Sequence, residues 1–284
     1  MPSLARDLDW IAVMTYDYHG HWDKKTGHVA PFFEHPEDDF YYFNTNFTVH
    51  YWLDSGAPAG KLVMGMPLYG QSFTLDSAKN NGLNAPARQK GQAGEYTKAA
   101  GFLAYYEICE KVKEENWTVV EDEEGRMGPY AYKGTQWVGY DDVKTIRRKS
   151  EYIRELGLGG GMVWAMDLDD FSNKCGEGRH PLLTTIKTVL APPRETLTTT
   201  EIPAVIHELP DDTEEVEEVE EYKVVCYFTN WAWYRPGDGK YRPKDIQEEL
   251  CTHIVYGFAI LDPVTLTIRA HDSWADFDNG QSEN

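Results

Sequence analysis

The sequence lacks long apolar runs and is poor in basic residues. No stretch approaches the about 18 consecutive apolar residues of a membrane span, so we predict no membrane-spanning segment in this chain. Lysine and arginine total 27 against 47 aspartates and glutamates, a formal net charge of −20. This balance argues against a nucleic-acid partner and against docking on anionic lipid. A neutral polymer is compatible with such a surface.

Cysteine is also scarce, and the four present are widely spaced: Cys109, Cys175, Cys226 and Cys251. No Cys-x-x-Cys pair suggests zinc or redox chemistry. The even number of cysteines, with glycosylation sequons at Asn46 and Asn116, favours an extracellular protein. The first residues have no basic flank followed by an apolar run, as a signal peptide would. We therefore expect the start of a secreted or membrane-tethered parent to lie upstream.

Three short apolar runs dominate the first 170 residues, at 8–14, 61–66 and 160–166. Nearly continuous runs of this length are typical of strands buried on both faces of a parallel sheet. Polar or aromatic residues follow each run, and in a parallel β/α barrel the chemistry lies at the carboxyl ends of the strands. The sequence therefore predicts an α/β fold with functional side chains after these strands.

Apolar periodicity predicts helices between the strands, over 39–55 and 141–156. Asp141 or Asp142 would cap the second helix, and Gly157 would end it. The stretch 76–140 is too long for an ordinary barrel loop. It predicts a small α+β insertion with its own helix over 97–115 and strands near 117–120 and 130–133.

The second half of the chain divides at an acidic linker. Nine of the fourteen residues from Glu208 to Glu221 are acidic, so residues 191–221 should be extended and flexible. A strand at 223–228, a helix at 244–251 and a strand at 253–258 then form a βαβ start. We predict three parts: residues 1–190, the linker 191–221, and residues 222–284.

Five motifs make the pattern specific. Residues 14–20 (MTYDYHG), 65–70 (GMPLYG) and 160–171 (GGMVWAMDLDDF) resemble the sixth, seventh and eighth strands of family 18 glycoside hydrolases. Residues 225–231 (VCYFTNW) and 251–258 (CTHIVYGF) resemble the first and second strands. This order is similar to the junction between consecutive domains of tandem arthropod-type chitinases. The resemblance implies a partial TIM (β/α)8 barrel, strands 6–8, followed by strands 1–2 of a second barrel.

The resemblance also implies a strand neighbourhood and two disulfides. Strands eight and one adjoin in a closed barrel, so residues 223–228 should lie beside residues 160–166. Family members pair the first-strand cysteine with the one after the first helix, here Cys226 with Cys251. They also pair a cysteine of the insertion with one after the eighth strand, here Cys109 with Cys175.

The same resemblance implies the site. Tyr16 would donate a hydrogen bond to the substrate's acetamido group, and Asp17 would bind sugar hydroxyls beside the cleavage point. Six further residues would bind the substrate. Met14 and Tyr69 would line the pocket wall, Trp164 would lie flat beneath the distorted sugar, and Trp22 and Trp231 would be flat surfaces for other sugar rings. Gln71 stands where many members carry arginine. No cofactor or metal is implied, and the partner would be chitin or a chito-oligosaccharide.

Each site residue has a structural alternative. Trp164 in an apolar strand could belong to the core, Tyr16 and Asp17 could cap a helix, and Trp22 could pack on its own loop. Asp167, Asp169 and Asp170 resemble a metal cluster, but capping and loop hydrogen bonds are the favoured interpretation. His19 and His21 could suggest a general base or a metal site, but no third ligand is evident.

The family's fourth-strand motif, Asp-x-x-Asp-x-Asp-x-Glu, is absent from the chain. Family 18 enzymes use the substrate's N-acetyl oxygen as nucleophile, and the glutamate of this motif is their general acid. General acid catalysis contributes about 10²–10⁴ in rate, so we predict that this chain alone is inactive. We also expect the chain alone to be unstable. The parent enzyme would cleave the β-1,4 bonds of chitin. The alternatives are a chitin-binding, lectin-like member of the same fold, or an incomplete piece with no independent role.

Overall fold

The structure is a computed structural model that describes residues 2–191 and 221–277. The predicted linker therefore lies outside the described residues except at its two ends. The strands, in chain order, are β1 (Ile11–Val13), β2 (Leu62–Pro67), β3 (Tyr69–Thr74), β4 (Gln89–Lys90), β5 (Phe102–Ala104), β6 (Thr118–Val120), β7 (Tyr130–Lys133), β8 (Gln136–Gly139), β9 (Gly160–Trp164), β10 (Lys223–Thr229), β11 (His253–Gly257), β12 (Ala259–Leu261) and β13 (Ile268–Ala270). The helices are α1 (Pro2–Asp7), α2 (Thr45–Asp54), α3 (Tyr105–Lys113), α4 (Val143–Glu155), α5 (Pro181–Leu190) and α6 (Ser273–Asp276).

A parallel five-stranded sheet forms the centre of the molecule, in the order β1-β2-β9-β10-β11. All six residues of β2 are buried, as expected for a strand covered on both faces. Strand β10 pairs with β9, from Lys223 opposite Gly160 to Cys226 opposite Val163. This pairing confirms the predicted neighbourhood of 223–228 and 160–166. Strands from both halves of the chain therefore share one sheet.

Gly160 makes this junction possible. Its φ is +144°, and a Cβ at this position would lie 2.0 Å from the carbonyl oxygen of Lys223. Any other residue would force the two strands apart, because real Cβ atoms do not approach a backbone oxygen so closely. The close approach of β10 to β9 therefore depends on glycine at position 160.

The insertion is an antiparallel sheet in the order β4-β3-β8-β7-β6, with β5 also paired to β3. It begins at Tyr69, directly after β2, rather than near residue 76. The helix predicted over 97–115 is shorter and spans Tyr105–Lys113, because Phe102–Ala104 pairs as a strand with β3. The insertion therefore packs against the parallel sheet from the end of β2 onward.

Of the other three helix predictions, one is confirmed, one begins too early and one is wrong. Helix α4 agrees with the predicted 141–156, since Asp142 accepts the Thr145 N–H at 2.8 Å and Gly157 follows at φ +59°. Helix α2 begins at Thr45 rather than near 39, because Asn44 accepts the Phe47 N–H and caps the first turn. The helix predicted over 244–251 is wrong. Two short 3-10 turns, Pro243–Asp245 and Glu248–Leu250, occupy the segment, which is too short for a stable helix.

Both predicted disulfides are present. Cys109 on α3 is bonded to Cys175, which follows β9. Cys226 on β10 is bonded to Cys251, just before β11. The first disulfide fastens the insertion to the parallel sheet, and the second fastens two neighbouring strands of that sheet. No described helix has both the length and the apolarity needed to cross a membrane.

Candidate functional site

An open cleft of about 510 Å³ lies at the carboxyl ends of β9 and β10. The insertion forms one wall, and the loop after β10 forms the other. Aromatic and charged side chains from both halves of the chain line it, among them Tyr96, Phe102, Trp164, Asp167, Trp231 and Arg235. The position agrees with the general rule that β/α barrels place chemistry at the carboxyl ends of their strands.

Trp164 ends β9 and stands in a cluster of aromatic rings. Its ring centroid lies 5.1 Å from Tyr227, 5.8 Å from Phe258 and 6.2 Å from Trp231. The ring is only partly buried and lines the cleft, so it is not a wholly enclosed core residue. A flat aromatic surface of this kind can bind the apolar C–H face of a sugar ring.

Asp17 is held by the first strand of the insertion. The Tyr69 hydroxyl and the Gln71 Nε2 each donate a hydrogen bond of 2.8 Å to Asp17 Oδ1. Both donors are buried, whereas Asp17 is exposed. Asp17 adopts φ +58°, a left-handed conformation that aspartate tolerates better than most residues. The carboxylate is therefore fixed in place at the surface and does not cap a helix.

Tyr16 lies beneath Asp17, among the ends of β1, β2 and β9. Its hydroxyl is 3.8 Å from Met162 Sδ, and its ring meets Tyr69 edge to face at 6.2 Å. Burial, with a smaller effect from the Asp17 carboxylate, raises the pKa of Tyr16 above its ordinary value of about 10. The hydroxyl therefore stays protonated at neutral pH and can donate a hydrogen bond. Gly65 leaves the room for this ring, since a Cβ there would lie 2.8 Å from Tyr16 Cε1.

Shared neighbours connect these residues to the cleft. Phe102 lines the cleft and stacks on Tyr69 at 4.7 Å, and the Tyr69 hydroxyl holds Asp17. Tyr227 contacts Trp164 and, together with Tyr16, packs on the cluster formed by Val63, Met162 and Val225. Tyr16, Asp17 and Trp164 therefore belong to one continuous group of contacts at the same end of the sheet.

Of the predicted site residues, Trp164 and Trp231 line the cleft, whereas six others lie outside its lining: Met14, Tyr16, Asp17, Trp22, Tyr69 and Gln71. Met14 follows β1 and is 71% exposed, and Trp22 is 50% exposed on the 3-10 turn His21–Asp23. The Trp22 ring lies over Gly20, where a Cβ would come within 2.3 Å of it. Trp22 therefore packs on its own turn while its other face meets solvent, which is compatible with both interpretations of this residue.

The three aspartates after β9 make structural contacts. Asp169 accepts the N–H groups of Asp170 and Leu183, and the latter bond caps α5. Asp170 accepts the N–H groups of Lys174 and Cys175. These bonds agree with the predicted capping and loop hydrogen bonds for Asp169 and Asp170, whereas Asp167 pairs with Arg235. No group of three or more metal-binding side chains occurs within residues 2–191 and 221–277.

Asp167 forms a buried ion pair that the sequence did not indicate. The Asp167 carboxylate is 2.5 Å from Arg235 Nη2, and it accepts the Thr229 hydroxyl at 2.8 Å. Arg235 Nη1 also donates to the Asp167 carbonyl oxygen at 2.7 Å. This pair joins the loop after β10 to the turn after β9, so the two halves of the chain meet at the floor of the cleft.

Comparison with known proteins decides the family. The model of Glycosyl hydrolases family 18 matches residues 1–169 and 223–284. The chain belongs to this family. It is 54% identical to the probable chitinase 10 of Drosophila melanogaster over an alignment that covers 98% of this chain and 14% of that protein.

Several solved structures are similar to this family 18 chain, and two of them bear on its function. The second catalytic domain of the Group II chitinase of Ostrinia furnacalis is 55% identical, with a TM-score of 0.66, over 66% of this chain and 50% of that one. Human YKL-39, described as a pseudo-chitinase with retained chitooligosaccharide binding, is 44% identical with a TM-score of 0.62, over 66% and 52%. The chain therefore spans about half the length of these solved relatives.

Proposed function

We propose that this chain binds chito-oligosaccharides in the cleft beside Trp164 and Trp231, and that it derives from a parent that hydrolyses β-1,4-linked N-acetylglucosamine. The observation that carries the proposal is the aromatic cleft joined by contacts to an exposed carboxylate, Asp17, fixed by two buried donors. Aromatic faces bind the apolar side of a sugar, and fixed polar groups bind its hydroxyl and amide groups.

Each side chain has a role in this proposal. A distorted N-acetylglucosamine ring rests on Trp164, while Trp231 and Trp22 support neighbouring sugars and Met14 and Tyr69 border the acetamido group. The Tyr16 hydroxyl donates to the acetamido oxygen and orients it toward the anomeric carbon, where it acts as nucleophile with retention of configuration. A preorganised donor of this kind contributes about 3–4 kcal/mol to transition-state stabilisation. Asp17 binds sugar hydroxyls, and Gln71 holds Asp17.

The general acid of such a reaction lies outside this chain. The sequence contains no Asp-x-x-Asp-x-Asp-x-Glu motif, so no residue here is assigned to protonate the leaving oxygen. We therefore propose binding without cleavage for the isolated chain. The second candidate is a non-catalytic, lectin-like parent. It is supported by the similarity of this chain to a solved structure described as a pseudo-chitinase.

We also propose that the chain covers the junction of two tandem domains of an extracellular protein. The alignment with the Drosophila protein covers 98% of the chain but only 14% of that protein, which supports a segment of a much longer chain. The two disulfides support an oxidising compartment. In this proposal residues 222–284 correspond to the start of the parent's second barrel, although in this chain their strands join the sheet of residues 1–190.

Calorimetric titration of the 284-residue chain with N-acetylchitopentaose tests the proposal. We expect saturable binding, a loss of about tenfold or more in affinity for Trp164→Ala, and no loss for Tyr51→Ala, an exposed aromatic on α2. Product analysis after prolonged incubation should show no chitobiose. Absence of binding, or equal affinities for the three proteins, would refute the proposed site, and release of chitobiose would refute the proposed inactivity.

A further inference from the structure

His19 is buried between two carboxylates. Its Nδ1 is 3.0 Å from Asp23 Oδ2, its Nε2 is 2.8 Å from Asp38 Oδ2, and its side chain is 7% exposed. A neutral imidazole can donate a hydrogen bond from only one ring nitrogen, whereas both nitrogens here face acceptors. The geometry therefore requires a doubly protonated, positively charged ring.

The surroundings of His19 support this charge state. Asp23 and Asp38 face the ring directly, His28 lies close enough to interact electrostatically, and His35 and Glu37 line the same small cavity. Burial alone would lower the pKa of His19, but the carboxylates of Asp38 and Asp23 outweigh it and raise the pKa above its ordinary value.

Nonpolar contacts leave the ring little room. The edge of the Phe43 ring packs on it, with centroids 5.7 Å apart. A Cβ at Gly27 would lie 2.6 Å from His19 Cγ, so the backbone of the next segment lies directly against the ring. A neutral ring could not rotate here to find another partner for its unprotonated nitrogen.

His19 connects the turn that carries Trp22 to a second segment. Asp23 Oδ2 accepts a hydrogen bond from His19 Nδ1 at 3.0 Å and a second one from the Gly20 N–H at 3.3 Å. The second bond closes the turn His21–Asp23. On the other side, Asp38 belongs to a turn in which its own N–H donates to the His35 carbonyl. Loss of the charge on His19 would leave one carboxylate facing a ring lone pair and would loosen this connection.

We propose that His19 is a charged positioning residue: its imidazolium fixes the Trp22 turn against residues 35–40, so that saccharide binding weakens as rising pH removes the charge. We call the contacts of His19 with Asp23 and Asp38 the clamp. The predicted effect on saccharide binding rests on the proposed function, whereas the clamp does not. His19 acts through Trp22 and Asp23 and does not contact the sugar.

The clamp is tested without sugar. Long-range ¹H–¹⁵N spectra of the full chain should show both His19 ring nitrogens protonated at pH 7, and Asp38→Asn should move the titration to lower pH. The difference in fluorescence between wild type and Trp22→Phe should change over the same pH range. A single neutral tautomer at pH 7, or an Asp38→Asn titration identical to the wild type, would overturn the clamp.

Saccharide binding is tested separately. Affinity for N-acetylchitopentaose should fall about three- to tenfold through the His19 titration, whereas His19→Gln should bind at the weaker level throughout. His50→Gln, which changes an exposed histidine on α2, should follow the wild type. Equal pH profiles for wild type and His19→Gln would overturn the positioning role. No binding by any variant would refute the proposed function while the spectra still decide the clamp.

Discussion

Substitution of Arg235 with methionine tests whether the two halves of the chain depend on each other for stability. Arg235 is 9% exposed and Asp167 is 0% exposed, so within residues 2–191 and 221–277 the change leaves a buried carboxylate with the Thr229 hydroxyl as its one side-chain hydrogen-bond partner. Removal of one partner from a buried ion pair costs about 3–5 kcal/mol. The stability of a whole domain is about 5–15 kcal/mol, so Arg235→Met should remove a large fraction of it.

Urea denaturation followed by circular dichroism measures this loss. Arg269→Met is the matched control, because Arg269 pairs with Asp262 at 3.7 Å while 56% exposed, and such surface pairs contribute about 0–1 kcal/mol. Adding Asp167→Asn to Arg235→Met should restore part of the stability, since it removes the unpaired charge. A loss of stability for Arg235→Met no larger than that for Arg269→Met, or a double variant less stable than the single one, would contradict this prediction.

Two further predictions concern acid and reduction. Burial lowers the pKa of His180 to about 4 and that of His28 to about 3, from ordinary values of about 6.5, so the unfolded state binds more protons below pH 6.5. Their contribution to stability is therefore present above pH 6.5 and is lost as the pH falls toward 4. Urea titrations at several pH values should show this loss of unfolding free energy. His180→Asn should make the dependence of that free energy on pH shallower, and asparagine tolerates the φ of +50° at this position. An unchanged pH dependence would contradict the role given to His180. Cys109→Ala/Cys175→Ala opens a disulfide across 66 residues and should cost roughly 4 kcal/mol, measured as a lower unfolding free energy; a loss under 1 kcal/mol would contradict it.

Much of the centre of the sheet could be predicted from the sequence because β2, β9 and β10 are largely buried on both faces, whereas the edge strands β1 and β11 are partly exposed. The runs ending at Met66 and Met166 are almost wholly apolar, as expected for strands of a parallel sheet that is covered on both faces. The pairing of β9 with β10 follows from the order of barrel strands. The cysteine pairing came from the family resemblance and not from spacing.

The remaining features depend on contacts that local sequence does not reveal. Phe40, Phe43, Phe47 and Tyr51 have helical spacing, yet the cap at Asn44 starts α2 after the first two of them. Arg235 stands in a polar loop and would pass for an exposed residue. Its burial depends on Asp167, which is 68 residues away in the sequence. Tyr227 lies within β10 and Phe258 directly follows β11, both in the quoted motifs, so their place beside Trp164 could have been inferred from the strand order.

The most direct test is a crystal structure of the 284-residue chain with N-acetylchitopentaose. We predict one sugar ring stacked on Trp164, with its acetamido group within hydrogen-bonding distance of the Tyr16 hydroxyl and a hydroxyl group bound by Asp17. A saccharide bound elsewhere on the surface, or Tyr16, Asp17 and Trp164 found in separate regions, would contradict it.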